Sequence, residues 1–196
     1  LISALLLSVS WPTYGVPFFI FIALVPLLLM EQGISKFSGI KRKGWTVFGL
    51  SYLTFLVWNI VTTGWLYGSR NPDGSHALLA VILPVVLNSL LYSTVFILYH
   101  WYKQMQGTYW GLAFFVAIWM AFEKLHLSWE LTWPWLNLGN VFSEYPKLIQ
   151  WYDTLGATGG SFWILLVNVF AFYAFRSWEA GRKRQDLIKN SAILLA

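Results

Sequence analysis

The chain has 196 residues, of which 58% are apolar and 11% charged, against roughly 45–50% and 25% in water-soluble domains, so a solvated surface is hard to assemble from it and the bilayer is the expected solvent. Its net charge of +5 does not point to nucleic acid, because the basic residues sit in short gaps between long apolar runs and leave no basic face. The absence of cysteine excludes disulfides, thiolate metal sites and a thiol nucleophile within these residues.

Crossing about 30 Å of hydrocarbon takes roughly 20 apolar residues in a helix, since unsatisfied backbone groups are too costly in lipid. Residues 1–30 are uncharged but interrupted by Trp11-Pro12-Thr13-Tyr14-Gly15, where Pro and Gly favour a turn between two short spans. Residues 44–69, 74–102, 104–122 and 154–175 predict spans three to six, and a seventh begins near Leu187. These runs do not alternate with period two, so a transmembrane barrel is a poor reading. The expected fold is an all-α membrane protein, a polytopic helical bundle of six spans plus the start of a seventh. Pro84 is expected to kink the fourth span near Asn88 and Ser89. The opening run lacks a basic n-region and a cleavage site, and both ends look cut, so 1–196 reads as one transmembrane domain of a longer chain.

The Lys/Arg distribution orients this bundle. Alternate gaps place Lys36, Lys41, Arg42, Lys43, Lys103, Arg176, Arg182, Lys183, Arg184 and Lys189 on one side, ten in all, against Arg70, Lys124 and Lys147 on the other. The first side is read as cytoplasmic. Residues 123–153 and the 67–75 loop then face outward, which is where function is expected.

The 123–153 segment is too polar to span and too rich in Trp, Leu and Tyr for a free loop. Leu125, Trp129 and Thr132 recur at helical spacing, as for an amphipathic continuation of span five. Trp133-Pro134-Trp135 breaks that pattern, Gly139 lies between Asn137 and Asn140, and Tyr145-Pro146 marks a second turn. Trp133, Trp135 and Trp151 can be read as interfacial anchors. The Pro-bracketed tryptophan pair followed closely by glycine can equally be read as a shaped re-entrant loop lining a cavity.

Elsewhere, Asn59, Asn88 and Asn168 are expected to hydrogen-bond between helices, and Gly156-x-x-x-Gly160 to permit close helix contact. His76 and His100 are placed at span ends, and the scattered histidines have no metal-ligand spacing. The main readings from other classes are a small-molecule membrane transporter and a non-catalytic membrane scaffold. A transporter calls for broken helices, an inverted repeat or ionisable residues deep in spans, whereas every charged residue here is read at or beyond a span end.

The run Trp133-Pro134-Trp135-Leu136-Asn137-Leu138-Gly139-Asn140 resembles the F-P-W-L-x-x-G-Y signature of apolipoprotein N-acyltransferases, with Glu123 at the spacing of that family's acidic residue. Ser10-Trp11-Pro12-Thr13-Tyr14-Gly15 is similar to its first turn, and Trp58-Asn59-Ile60-Val61-Thr62-Thr63-Gly64-Trp65 to the outer end of its third span. Ile149-Gln150-Trp151 with the stretch 156–168 is similar to its lead into span six. The family usually has Arg, Phe and Tyr where His126, Trp133 and Asn140 stand. The resemblance implies transfer of an acyl chain from a phospholipid donor to the N-terminal diacylglyceryl-cysteine of a lipoprotein acceptor. It further implies a nitrilase-like domain after span seven that carries a Cys nucleophile, a Glu base and an oxyanion-stabilising Lys. No catalytic residue is then expected in this chain, which should be inactive alone. Trp133, Pro134, Trp135, Asn137 and Gly139 are expected to shape a portal for acyl chains, with Glu123 and His126 as polar contacts. No cofactor, metal or nucleic acid is expected. The protein should be a multi-pass resident of the bacterial inner membrane, among membrane lipids, with 123–153 facing the periplasm.

Overall fold

Ile2–Ser10 forms α1, nine residues long, too short to cross a bilayer at 1.5 Å rise per residue. After a turn at Trp11, a 3-10 segment at Pro17–Ile22 leads into α2 (Val25–Lys36). Proline near the start of each is tolerated because the first helical N–H groups have no partner to lose. α3 (Lys43–Thr63) ends in a 3-10 turn, Gly64–Gly68. α4 (Leu78–His126) is followed by three short 3-10 turns and then α5 (Tyr152–Glu179). This computed structural model describes residues 1–12 and 15–181. Among them the only strand-like pairing is an isolated antiparallel bridge, Arg70 with His76.

Four helical stretches among the described residues are long and apolar enough to cross a membrane: Pro17–Lys36, Lys43–Gly68, Leu78–His126 and Tyr152–Glu179. The expected count of six spans plus the start of a seventh is therefore corrected. The first expected span is the short α1, the fourth and fifth are joined in α4 as two arms on either side of Gly107, and the run near Leu187 lies outside the described residues. A charge-free run reports solvent preference, whereas helix continuity depends on the backbone.

α4 folds back on itself. Gly107 adopts φ 83° and ψ 174°, a region open essentially to glycine alone. The arms on either side, 78–106 and 108–126, then run antiparallel. Tyr102 stacks on Phe114 at 4.3 Å, Tyr99 meets Phe115 at 5.1 Å and Tyr92 meets Trp119 at 5.2 Å, so each step back along one arm is a step forward along the other. Pro84 lies inside the first arm, and Gly107 is the only non-helical backbone inside α4.

The core is aromatic. Phe55 and Trp58 of α3 pack against Tyr92 at 5.4 and 5.3 Å, and all three are almost fully buried. The periphery carries exposed Leu50, Leu53, Ile60, Leu79 and Ile82, the inverse of a water-soluble surface and suited to lipid. Such helices have no hydrophobic drive toward one another in lipid, so close packing and buried hydrogen bonds must hold them. Asn168 of α5 does this as expected, accepting from Leu24 N–H at 2.8 Å and donating to the Ile20 carbonyl at 2.8 Å. Asn88 bonds across the α4 hairpin to His126. Asn59 instead donates to Phe55 of its own helix.

Two local expectations are also corrected. α4 ends at His126, so Trp129 and Thr132 lie beyond the helix. Gly156 has φ 65° and breaks the start of α5, so Gly156-x-x-x-Gly160 is not one continuous contact face.

Candidate functional site

The loop at the end of α4 is built around a buried carboxylate. Glu123, 2% exposed, sits three residues before the helix end and turns inward. Its Oε1 accepts from the Trp119 indole at 3.0 Å, one helical turn earlier, and from the Leu138 backbone N–H at 2.9 Å. The second contact reaches back from the 3-10 turn Leu138–Phe142. A buried ionisable group is costly unless hydrogen bonds occupy it, and here the loop backbone supplies one.

Asn137 caps that turn. Its Oδ1 accepts from Gly139 N–H at 3.1 Å and from Ser161 Oγ of α5 at 2.7 Å. Gly139 N–H also reaches Ser161 Oγ at 2.8 Å, and its carbonyl accepts from Tyr152 at 3.1 Å. A Cβ on Gly139 would collide with the Ala157 carbonyl, so glycine is required by this close backbone approach. Pro134 starts the preceding turn, Pro134–Leu136. The Leu136 carbonyl accepts from Tyr92 at 3.0 Å, and the Pro134 carbonyl from Asn140 Nδ2 at 2.8 Å. The loop is thereby fastened to both arms of α4 and to α5.

His126 is buried between Asn88 Oδ1, 2.8 Å from its Nε2, and the Trp129 indole, 3.0 Å from its Nδ1. An indole N–H can only donate. Nδ1 therefore accepts and Nε2 carries the hydrogen.

Of the sequence-predicted residues, Glu123, His126, Asn137 and Gly139 are buried and contact the protein itself. Trp133 and Pro134 are half-buried. Trp135 points outward, 53% exposed, edge-to-face with Trp65 at 5.5 Å. The Trp133 indole nitrogen and Glu123 Oε2 are buried with no hydrogen-bond partner among the described residues. In the connection between α3 and α4, Ser75 donates to Asp73 and holds its carboxyl below the usual aspartate range.

Sequence reasoning missed Trp65, Tyr92 and Ser161, which are remote from the loop in sequence. Trp119 was legible, lying at i−4 from Glu123 on one helix. A second polar cluster was also missed, toward the opposite end of α3. Glu31, fully buried in α2, accepts from His100 and Ser35 at 2.7 Å each and pairs with Lys103. Glu31 and Lys103 are buried within the protein, each about a turn from the end of α2 and of the first arm of α4. The pair becomes affordable only where α2 and α4 meet and each charge finds its partner.

Together these features define an all-helical protein of membrane-spanning character, with an aromatic loop clamped over a buried glutamate. The chain belongs to the apolipoprotein N-acyltransferase family: residues 3–170 match the model of the apolipoprotein N-acyltransferase N-terminal domain. It is 27% identical over 199 residues to an apolipoprotein N-acyltransferase of Chlorobaculum tepidum, covering 100% of this chain and 35% of the relative. It is 28% identical over 185 residues to apolipoprotein N-acyltransferase 1 of Treponema denticola, covering 88% of this chain and 30% of the relative. The chain thus spans about a third of the length of these curated relatives. No solved structure matches it.

Proposed function

We propose that this chain is the membrane-embedded part of an acyltransferase that moves an acyl chain from a phospholipid to the N-terminal diacylglyceryl-cysteine of a lipoprotein, and that the Trp133–Asn140 loop presents those lipids to the reacting centre. The chain contains no cysteine, so a thiol nucleophile is not among these residues and their part is binding and orientation. The observation that carries this reading is the exposed Trp65–Trp135 pair, held on a loop pinned from beneath by Glu123 and Ser161. Flat aromatic faces on a rigid base suit acyl chains and glyceryl groups at the membrane interface. In this reading Trp133, Pro134 and Trp135 meet the lipids, and Glu123, His126, Asn137 and Gly139 position them.

The arms of α4 cross the inner membrane separately. Lys36, Lys41, Arg42, Lys43 and Lys103 lie on the cytoplasmic side, and the 123–153 segment faces the periplasm. Single cysteines at Ser143 and Ser38 test this without background from the chain itself. A membrane-impermeant maleimide applied from the periplasm should label the first and spare the second, and the reverse pattern overturns the orientation.

Acyl transfer from labelled phospholipid to a diacylglyceryl peptide tests the site. Trp135→Ala in the full-length enzyme should lower the rate by about tenfold, on the scale of one aromatic contact, with membrane insertion intact. Trp178→Ala, at a still more exposed indole of α5, should not. Unchanged transfer in Trp135→Ala sinks the proposal.

A further inference from the structure

A groove of about 610 Å³ lies between the start of α3 and the end of the first arm of α4. Its rim carries Lys41 and Arg42 and its wall Trp45, Phe48, Ile97 and Trp101. Both cations are exposed, and neither has an ion-pair partner among the described residues. The adjacent Lys43 is occupied differently, its ammonium donating to the Ser35 carbonyl at 2.6 Å. α3 also begins without an acidic residue in its first turn and without a side-chain cap, so no negative charge of its own offsets the rim.

The wall is apolar and open to the surroundings, with Trp45 73% and Trp101 54% exposed. A Cβ on Gly44 would stand 3.2 Å from Trp101 Nε1, so glycine lets that indole N–H lie at the rim beside the cations. Cations and an N–H donor at one end, leading to aromatic and aliphatic surface, follow the order of an anionic amphiphile from phosphate to chain.

We propose that this groove binds an anionic phospholipid, with its phosphate at Lys41, Arg42 and the Trp101 N–H and its acyl chain along Phe48 and Ile97. A zwitterionic lipid would bring an ammonium group against the two cations and is disfavoured. The site lies at the opposite end of α3 from the Trp65–Trp135 pair and is independent of the acyl-transfer reading.

Native mass spectrometry of the detergent-purified protein, titrated with phosphatidylglycerol or phosphatidylcholine of matched chains, tests it without an activity readout. Phosphatidylglycerol adducts should exceed phosphatidylcholine adducts by on the order of tenfold, as two surface cations imply. Lys41→Gln with Arg42→Gln should abolish that preference, and Lys124→Gln with Lys147→Gln, removing the same charge at the other end, should leave it. Trp101→Ala, which keeps both cations, should lower phosphatidylglycerol retention. Equal retention of the two lipids, equal loss in both double variants, loss in neither, or no effect of Trp101→Ala each overturns the proposal.

Discussion

Glu123 Oε1 accepts the Leu138 backbone N–H at 2.9 Å across fifteen residues of chain, so a buried carboxylate acts as the hook on which the loop after α4 hangs. Glu123→Ala leaves that N–H and the Trp119 indole buried without an acceptor, at a cost of about 1–3 kcal/mol each. Glu123→Gln retains a carbonyl oxygen and should be milder. Thermal unfolding in detergent should rank wild type above Gln above Ala, and a Gln variant as unstable as Ala removes the hook.

Gly139 and Gly49 form a matched pair. Gly139→Ala drives a methyl into the Ala157 carbonyl, which backbone movement must relieve at about 1–3 kcal/mol. Gly49→Ala on α3 meets nothing within 4 Å and should be neutral or stabilising by up to about 1 kcal/mol through helix propensity. Unfolding midpoints that move together contradict the close approach.

Gly107→Ala tests the α4 hairpin. Nothing lies within 4 Å of the added methyl, so the penalty comes only from the backbone at φ 83° and should be about 1–3 kcal/mol. Gly64→Ala, also in open space but with φ −58°, is the control. Equal midpoints for the two variants disprove the left-handed turn.

Glu31 and Lys103 form a buried pair joining α2 to α4. Glu31→Gln or Lys103→Met strands the opposite charge and should cost about 3–5 kcal/mol. The double variant should cost less than the sum by about 0.5–3 kcal/mol. Strict additivity in that cycle shows that the two charges do not support each other.

Membrane character, the Trp-Pro-Trp loop and the family were legible in the residues. Length and charge spacing also located α3 well, because a long uncharged run in lipid has no alternative to helix. The same logic overcounted spans where α1 proved short. It placed the turn between its fourth and fifth spans at Lys103, and the reversal falls four residues later at Gly107, where glycine can adopt the required positive φ. Asn168 was recognisable as an interhelical group. Its partners, Leu24 and Ile20, lie more than a hundred residues away and were not.

By itself, the sequence determined the membrane-spanning character of this protein and its helical class, because these follow from composition and from patterns within one segment. Only the tertiary structure decided what each loop residue does. It turned Glu123, His126, Asn137 and Gly139 inward and left Trp135 outside with Trp65, and it made a buried Glu31–Lys103 pair tolerable. These outcomes depend on which helices become neighbours. In lipid, where apolar surface is no guide to pairing, hydrogen-bond satisfaction and close packing across distant segments make that choice.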